Sequence, residues 1–213
     1  MSVHPALDRS DPAEERRSRI LDAAERCFVR TGFHRTTMQD VAAEAGMSPG
    51  NLYRYFPSKD AIVAGLAERD RGTVSVDFAA LPTGADLIGA FFGLARRHLV
   101  DEPAAKAILC IEMWSEATRN PALAAICRDF EREMRGMIAG IFREAGGPGL
   151  DAEALTQVVM VMADGIIVRR ALVPDFDPGP ILDAMSRLIE AALAGRFDPT
   201  RALAPATANQ DTP

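Results

Sequence analysis

The sequence is short of the residues that mark several protein classes. It has three cysteines in 213 residues, at positions 27, 110 and 127. An odd number without a CxxC spacing excludes a disulfide framework and favours a reducing cytoplasm. Long uncharged runs are missing too: the stretch Ala154 to Ala163 is closed by Glu153 and Asp164, well short of the ~20 apolar residues of a membrane helix. Residues 1–12 hold neither a basic segment nor an apolar run, so no secretory signal is expected there and the protein is expected to be cytoplasmic. His4, His34 and His98 are scattered, and neither HExxH nor GxSxG occurs. No metal site, no cofactor and no catalytic residue is therefore expected, and the chain does not read as an enzyme. Gly146-Gly147-Pro148-Gly149 follows a helical pattern rather than a strand, so it reads as a cap and turn, not a phosphate loop.

Positive charge is outnumbered, 24 Lys or Arg against 30 Asp or Glu. The formal net charge is -6, which by itself argues against nucleic acid, since duplex binders usually carry a basic footprint. The distribution removes that objection: residues 1–60 hold nine Lys or Arg against nine Asp or Glu, so the acidity belongs to the rest of the chain.

What is present reads almost entirely as helix. Ile20, Ala24, Cys27 and Phe28 recur at helical spacing between the start signal Asp11-Pro12 and Gly32. Two short segments follow, Met38 to Ala45 and Pro49 to Tyr55, too short to be stable without packing on something. Ser58 caps a longer helix running to about Arg71 or beyond, and Asp86 to Leu99 makes the next. Pro103 opens another, and Asn120-Pro121 separates it from a long one ending at Gly146-Gly147. Leu155 to Val168 is apolar nearly all round, which predicts a helix buried on most sides. Ile181, Met185, Leu188, Ile189, Ala192 and Leu193 form one stripe.

The informative stretch runs from Thr36 to Phe56. Thr36 or Thr37 can cap the first short helix in a capping-box pattern with Gln39 or Asp40, and Gly46 supplies a turn. Ser48-Pro49 then starts a second helix at once, anchored by Leu52 and Phe56 against Val41 and Ala45. That is a helix-turn-helix, whose second helix presents Pro49, Gly50, Asn51, Tyr53 and Tyr55 outward. Asn51 can reach a base edge or phosphate, Gly50 permits close backbone approach, and the tyrosines, the only two in the protein, offer hydroxyls to phosphate. Thr36 or Thr37 and Lys59 add donors at helix starts, and Arg54 is expected to meet phosphate or solvent.

Arg19 to Ala24, Phe28, Gly32-Phe33, Thr36-Thr37, Asp40-Val41-Ala42, Ala45-Gly46 and Leu52 to Asp60 resemble the N-terminal domain of the TetR family of bacterial transcription regulators over roughly residues 16–66. The resemblance implies an all-α protein: a three-helix helix-turn-helix domain followed by a helical ligand-binding and dimerisation domain. It implies a homodimer on double-stranded palindromic operator DNA, released by a small-molecule effector. Its DNA contacts would fall on Thr37, Ser48, Pro49, Gly50, Asn51, Tyr53, Tyr55 and Lys59, to which the reading of the residues themselves adds Thr36 and Arg54. The corresponding boundaries are a flexible start (1–15), a DNA-binding domain (16–60), a ligand and dimerisation domain (61–195) and a loose tail (196–213). The stretch Met113 to Pro121 is similar to members that bind small apolar or cationic molecules.

Bulky, adaptable side chains mark the candidate effector site: Phe91, Phe92, Cys110, Met113, Trp114, Met134, Met137 and Met160, with Glu116 and Asp164 as polar members. Plain packing explains many such residues equally well. Glu112 and Glu116, four apart, repel unless a cation such as Arg119 sits near. Asp164 interrupts the most apolar helix, so it either pairs with Arg169, Arg170 or a backbone donor, or recognises a cationic ligand. The candidate dimer seam is Val158, Met162, Ile166, Ile181, Met185, Leu188 and Ala192, in a four-helix bundle with a second copy. A repressor is the leading reading. An activator, or a small-molecule-sequestering protein of the same fold, is the alternative.

Overall fold

The computed structural model describes residues 11–198. The expected flexible start and loose tail therefore lie outside the described residues at positions 1–10 and 199–213. Among the described residues all regular structure is helical. The first helix, α1 (Pro12–Thr31), begins before the expected boundary at 16, because Asp11 accepts the Ala13 N–H at 3.0 Å and Pro12 takes the first helical position. Gly32 ends it at φ +81°, a conformation that favours glycine.

Local capping sets the next elements. In α2 (Met38–Glu44) the capping box is complete: Thr37 Oγ1 accepts the Asp40 N–H at 3.2 Å, and Asp40 Oδ2 accepts the Thr37 N–H at 2.8 Å. In α3 (Pro49–Tyr55) Ser48 Oγ accepts the Asn51 N–H at 3.3 Å. The fourth helix, α4 (Lys59–Ala79), is capped by Ser58 and extends past Arg71.

A 3-10 turn at Gly84–Asp86 precedes α5 (Leu87–Arg96), and a π turn at Arg97–Asp101 follows it. The segment read as one helix is thus three pieces. A regular helix turns neighbouring side chains about 100° apart. The wider turn places both Arg97 and His98 on the Asp77 carboxylate, at 2.9 Å each. The remaining helices are α6 (Ala104–Ala117), α7 (Pro121–Ala145), α8 (Ala152–Leu172) and α9 (Gly179–Leu193).

The chain divides into two compact units. The first takes residues up to Arg71 together with Glu112–Cys127, and the second takes Gly72–Ile111 and the chain from Arg128 onward. The division falls inside α4, α6 and α7 rather than at position 60, so the end of α6 belongs with the helix-turn-helix.

In the first unit Ile20, Phe28, Leu52, Phe56, Ile62 and Leu66 are fully buried, each stabilising by roughly 1.5–3 kcal/mol. Gly65 lets α4 run close to the motif: a Cβ there would lie 2.9 Å from Phe56 and 3.2 Å from Leu21. Ion pairs fasten the rim. Arg69 reaches Asp22 at 2.6 Å and Glu25 at 2.7 Å, while Arg26 and Arg30 both reach Glu44, at 2.7 and 3.2 Å.

The second unit is built around Phe91, whose ring meets Phe142 edge-on at 5.6 Å and Phe78 at 6.4 Å. Leu155 and Val159 of α8 and Leu182, Met185 and Ile189 of α9 complete this core. The all-round apolar character of α8 does not make it buried on most sides. Leu155, Val159 and Ile166 are buried, yet Val161 and Leu172 stay 59% and 67% exposed.

Candidate nucleic-acid interface

The outward face of α3 follows from its caps and anchors. Ser48 and Pro49 fix where the helix starts, and burial of Leu52 and Phe56 fixes its rotation. Ser48, Pro49, Gly50, Tyr53 and Arg54 are then exposed, and Asn51 and Tyr55 half-buried. Thr37 is exposed at the start of α2, its hydroxyl donating to Asp40 Oδ2 at 2.7 Å. These residues lie in one unit and form one polar, hydroxyl-rich surface suited to phosphates and base edges.

Two of the expected contact residues are placed differently. Thr36 is buried, its hydroxyl donating to Gly32 O at 2.8 Å and lying 2.8 Å from Thr31 Oγ1. It ties the α1–α2 connection rather than facing outward. The Lys59 ammonium donates to the carbonyls of Phe33, Thr36 and His34 at 2.6, 3.0 and 3.4 Å and sits 4.2 Å from the Phe33 ring centroid. Three donors meet three acceptors, so this charge holds the connection in place.

The same connection is gripped from the other side by α6. Glu112 Oε2 accepts the Phe33 N–H at 2.7 Å. Glu116, buried, lies 3.3 Å from both His34 and Arg119. The two glutamates, which would repel on a bare helix, therefore each have a separate positive or donor partner. In the sequence, Glu112 is marked only by its i, i+4 relation to Glu116.

Charge in this unit is segregated. Arg26, Arg30 and Arg69 are neutralised by Glu44, Asp22 and Glu25. Arg26 and Arg30 hold the Glu44 carboxyl below its usual range, and the Thr37 N–H and hydroxyl do the same for Asp40. Burial pushes the Cys27 thiol up, which keeps it a poor nucleophile. An open depression is lined by Arg30, Thr31, Arg35, Asp40, Ala43 and Glu44.

The expected effector residues are not gathered by one unit. Met113, Trp114 and Glu116 belong with the helix-turn-helix, and the others lie in the second unit. There Phe91 is core, while Phe92, Cys110, Met134, Met137 and Met160 are half-buried. Asp164 makes no ion pair with Arg169 or Arg170; partial withdrawal from water, and then Glu131, raise its carboxyl above the usual range. Of the expected seam residues, Ile166, Met185 and Ala192 are buried within the chain's own fold. Val158, Met162, Ile181 and Leu188 keep part of their surface open, together with Val161 and Leu172. The spacing of Val158, Val161, Gly165 and Leu172 along one side of α8 is the sequence signal for this open side.

Among the described residues no helix is long and apolar enough to cross a membrane. Residues 20–66 match the family described as bacterial regulatory proteins of the tetR family, and residues 94–194 match the BetI-type transcriptional repressor C-terminal family. The chain is 28% identical to the HTH-type transcriptional regulator UidR of Escherichia coli over 64% of its length and 69% of that protein's. It is 27% identical to the regulator BetI of Rhizobium meliloti, over 74% of its own length and 78% of BetI. Its fold matches Salmonella enterica GusR with a TM-score of 0.72 at 24% identity, covering 88% of this chain and all of that one. A regulator from Saccharomonospora viridis, solved in complex with choline, matches with a TM-score of 0.70 at 21% identity, covering 83% and 96%.

Proposed function

Because this chain belongs to the TetR family of DNA-binding transcription regulators, we propose that it is a repressor that binds a palindromic operator as a homodimer and is released by a small apolar or cationic effector. The observation that carries the DNA-binding surface is the exposed face of α3: Ser48, Pro49, Gly50, Tyr53 and Arg54 are open while Leu52 and Phe56 lock the helix beneath. Thr37 extends that surface at the start of α2.

The dimer seam proposed is the open stripe of Val158, Val161, Met162, Gly165 and Leu172 on α8 with Ile181 and Leu188 on α9. Exposed apolar side chains at helical spacing support it, since a second copy would bury them in a four-helix bundle. Two copies would present two α3 helices, and the operator would be palindromic to match.

Effector release requires a state that binds DNA poorly and ligand well. The Glu112 to Phe33 hydrogen bond supports α6 as the carrier, because this helix begins in the second unit and ends on the α1–α2 connection. A shift of α6 would move α2 and α3. The choline complex of the S. viridis regulator and the half-buried Phe92, Met134, Met137 and Met160 support an apolar or cationic effector.

The test is fluorescence anisotropy with intergenic DNA beside the reading frame, using unrelated duplex as competitor. Competitor-resistant binding with a steep salt slope supports the reading. Release by choline or another small cation would identify the effector class. Weak binding, equal for every duplex, would refute the repressor acting there.

A further inference from the structure

The first unit begins with three arginines on the second turn of α1, and each reaches a different part of the helix-turn-helix. Arg19 donates to the Ala45 carbonyl at 3.1 Å, where α2 ends. Arg17 lies over the buried Phe56 ring at 4.4 Å from its centroid. Arg16 donates through Nη1 to the Tyr55 hydroxyl at 3.4 Å, and its side chain is exposed. The first two contacts hold α1 against the motif. The third is different in kind.

Among the described residues Arg16 has no carboxylate partner, unlike Arg26, Arg30 and Arg69. Its one contact uses one of five guanidinium N–H groups and is long. Tyr55 accepts that bond, so its own O–H is free to donate in another direction. Two donors, one of them cationic, thus stand side by side at the C-terminal end of α3. Arg54, also exposed and without an ion pair, lies on the neighbouring position. Two guanidinium groups without an ion pair, those of Arg16 and Arg54, thus lie at the recognition helix.

We propose that Arg16 and Tyr55 together clamp one DNA backbone phosphate, so that α1 contributes a positioning contact outside the helix-turn-helix. The charge matches the ligand, and a guanidinium beside a hydroxyl donor matches the tetrahedral array of phosphate oxygens. The clamp sets how α3 is tilted in the groove without reading a base. It rests on the DNA-binding reading and adds a residue from outside the surface expected from the sequence.

The experiment titrates a fluorescein-labelled 24-base-pair duplex of random sequence with wild-type protein and with Arg16→Ala, Arg16→Lys and Tyr55→Phe, between 50 and 200 mM KCl. A backbone contact is independent of sequence, so no operator is needed. Arg16→Ala should weaken binding roughly three- to tenfold at the lowest salt and lower the slope of log K against log salt by about one. Arg16→Lys should keep the slope, and Tyr55→Phe should lose affinity with the slope unchanged. Melting temperatures are measured in parallel, and a merely structural Arg16 would lower the melting temperature without changing the slope. Equal affinity and slope in wild type and Arg16→Ala would overturn the clamp alone. A wild type that binds no duplex would overturn the clamp and the DNA-binding surface together.

Discussion

The Glu112 carboxylate accepts the Phe33 backbone N–H at 2.7 Å, across 79 residues of sequence. Its two oxygens also lie 3.6 Å from where a Cβ on Gly32 would stand. The end of α6 is thereby fastened to the single connection that sets the start of α2. Glu112→Ala leaves a part-buried N–H without its partner, which should destabilise the first unit by about 1–3 kcal/mol. Hydrogen exchange at the Phe33 amide should accelerate, and Glu112→Gln, which keeps an acceptor, should restore most of the protection. Unchanged exchange in the alanine variant would show that the bond does not hold the connection.

Lys59 closes the same connection from α4, with its ammonium on the carbonyls of Phe33, His34 and Thr36. Lys59→Met keeps the stem and removes the donors. A loss of about 1–3 kcal/mol is expected, read as a lower urea midpoint with little change in slope. If instead stability were unaffected and only DNA affinity fell, Lys59 would be a phosphate contact and not a brace.

Two carboxylates give the first unit an acid sensitivity with a defined sign. Asp40 is held below its usual range by the N–H and hydroxyl of Thr37, and Glu44 by Arg26 and Arg30. Their folded values lie below the unfolded ones, near pH 4 to 4.5, so their contribution is full above that window. It is lost as pH falls through the lower folded values. Asp40→Asn and Glu44→Gln should therefore melt below wild type at pH 7, with the gap closing toward pH 3. A gap of constant size would refute a charge-based origin.

Val161 on α8 and Ile181 on α9 are 59% and 43% exposed. A glutamate at either position should leave the chain's own core intact and disrupt a bundle with a second copy, because it buries an unpaired charge. Light scattering at micromolar concentration should report the mass falling from dimer to monomer, with the helical circular dichroism retained. A variant of unchanged mass would move the seam elsewhere.

How α1, α2 and α3 begin was legible from the sequence, because their signals are local. Asp11-Pro12, a capping box from Thr36 or Thr37 with Gln39 or Asp40, and Ser48-Pro49 each act over one helical turn, and the structure selects Thr37 and Asp40 for the box. The boundary of the DNA-binding region was less legible: contacts made by Glu112 and Glu116 attach the end of α6 to it, and no local pattern encodes a partner so distant in sequence. Side-chain direction was the other gap. Helical periodicity identifies a stripe but not what covers it, so Ile166, Met185 and Ala192 looked like seam residues and lie in the chain's own core.

The sequence by itself therefore determined the helical class and the helix-turn-helix, since helix period and capping depend only on near neighbours, whereas packing left Asn51 and Tyr55 half-buried and Arg54 exposed on α3. Only the tertiary structure decided which charges are compensated. Nine cations against nine anions in residues 1–60 predict neutrality, yet folding pairs Arg26, Arg30 and Arg69 away from α3 and leaves Arg16 beside Tyr55. Ion pairing depends on distance in space, and composition cannot supply that.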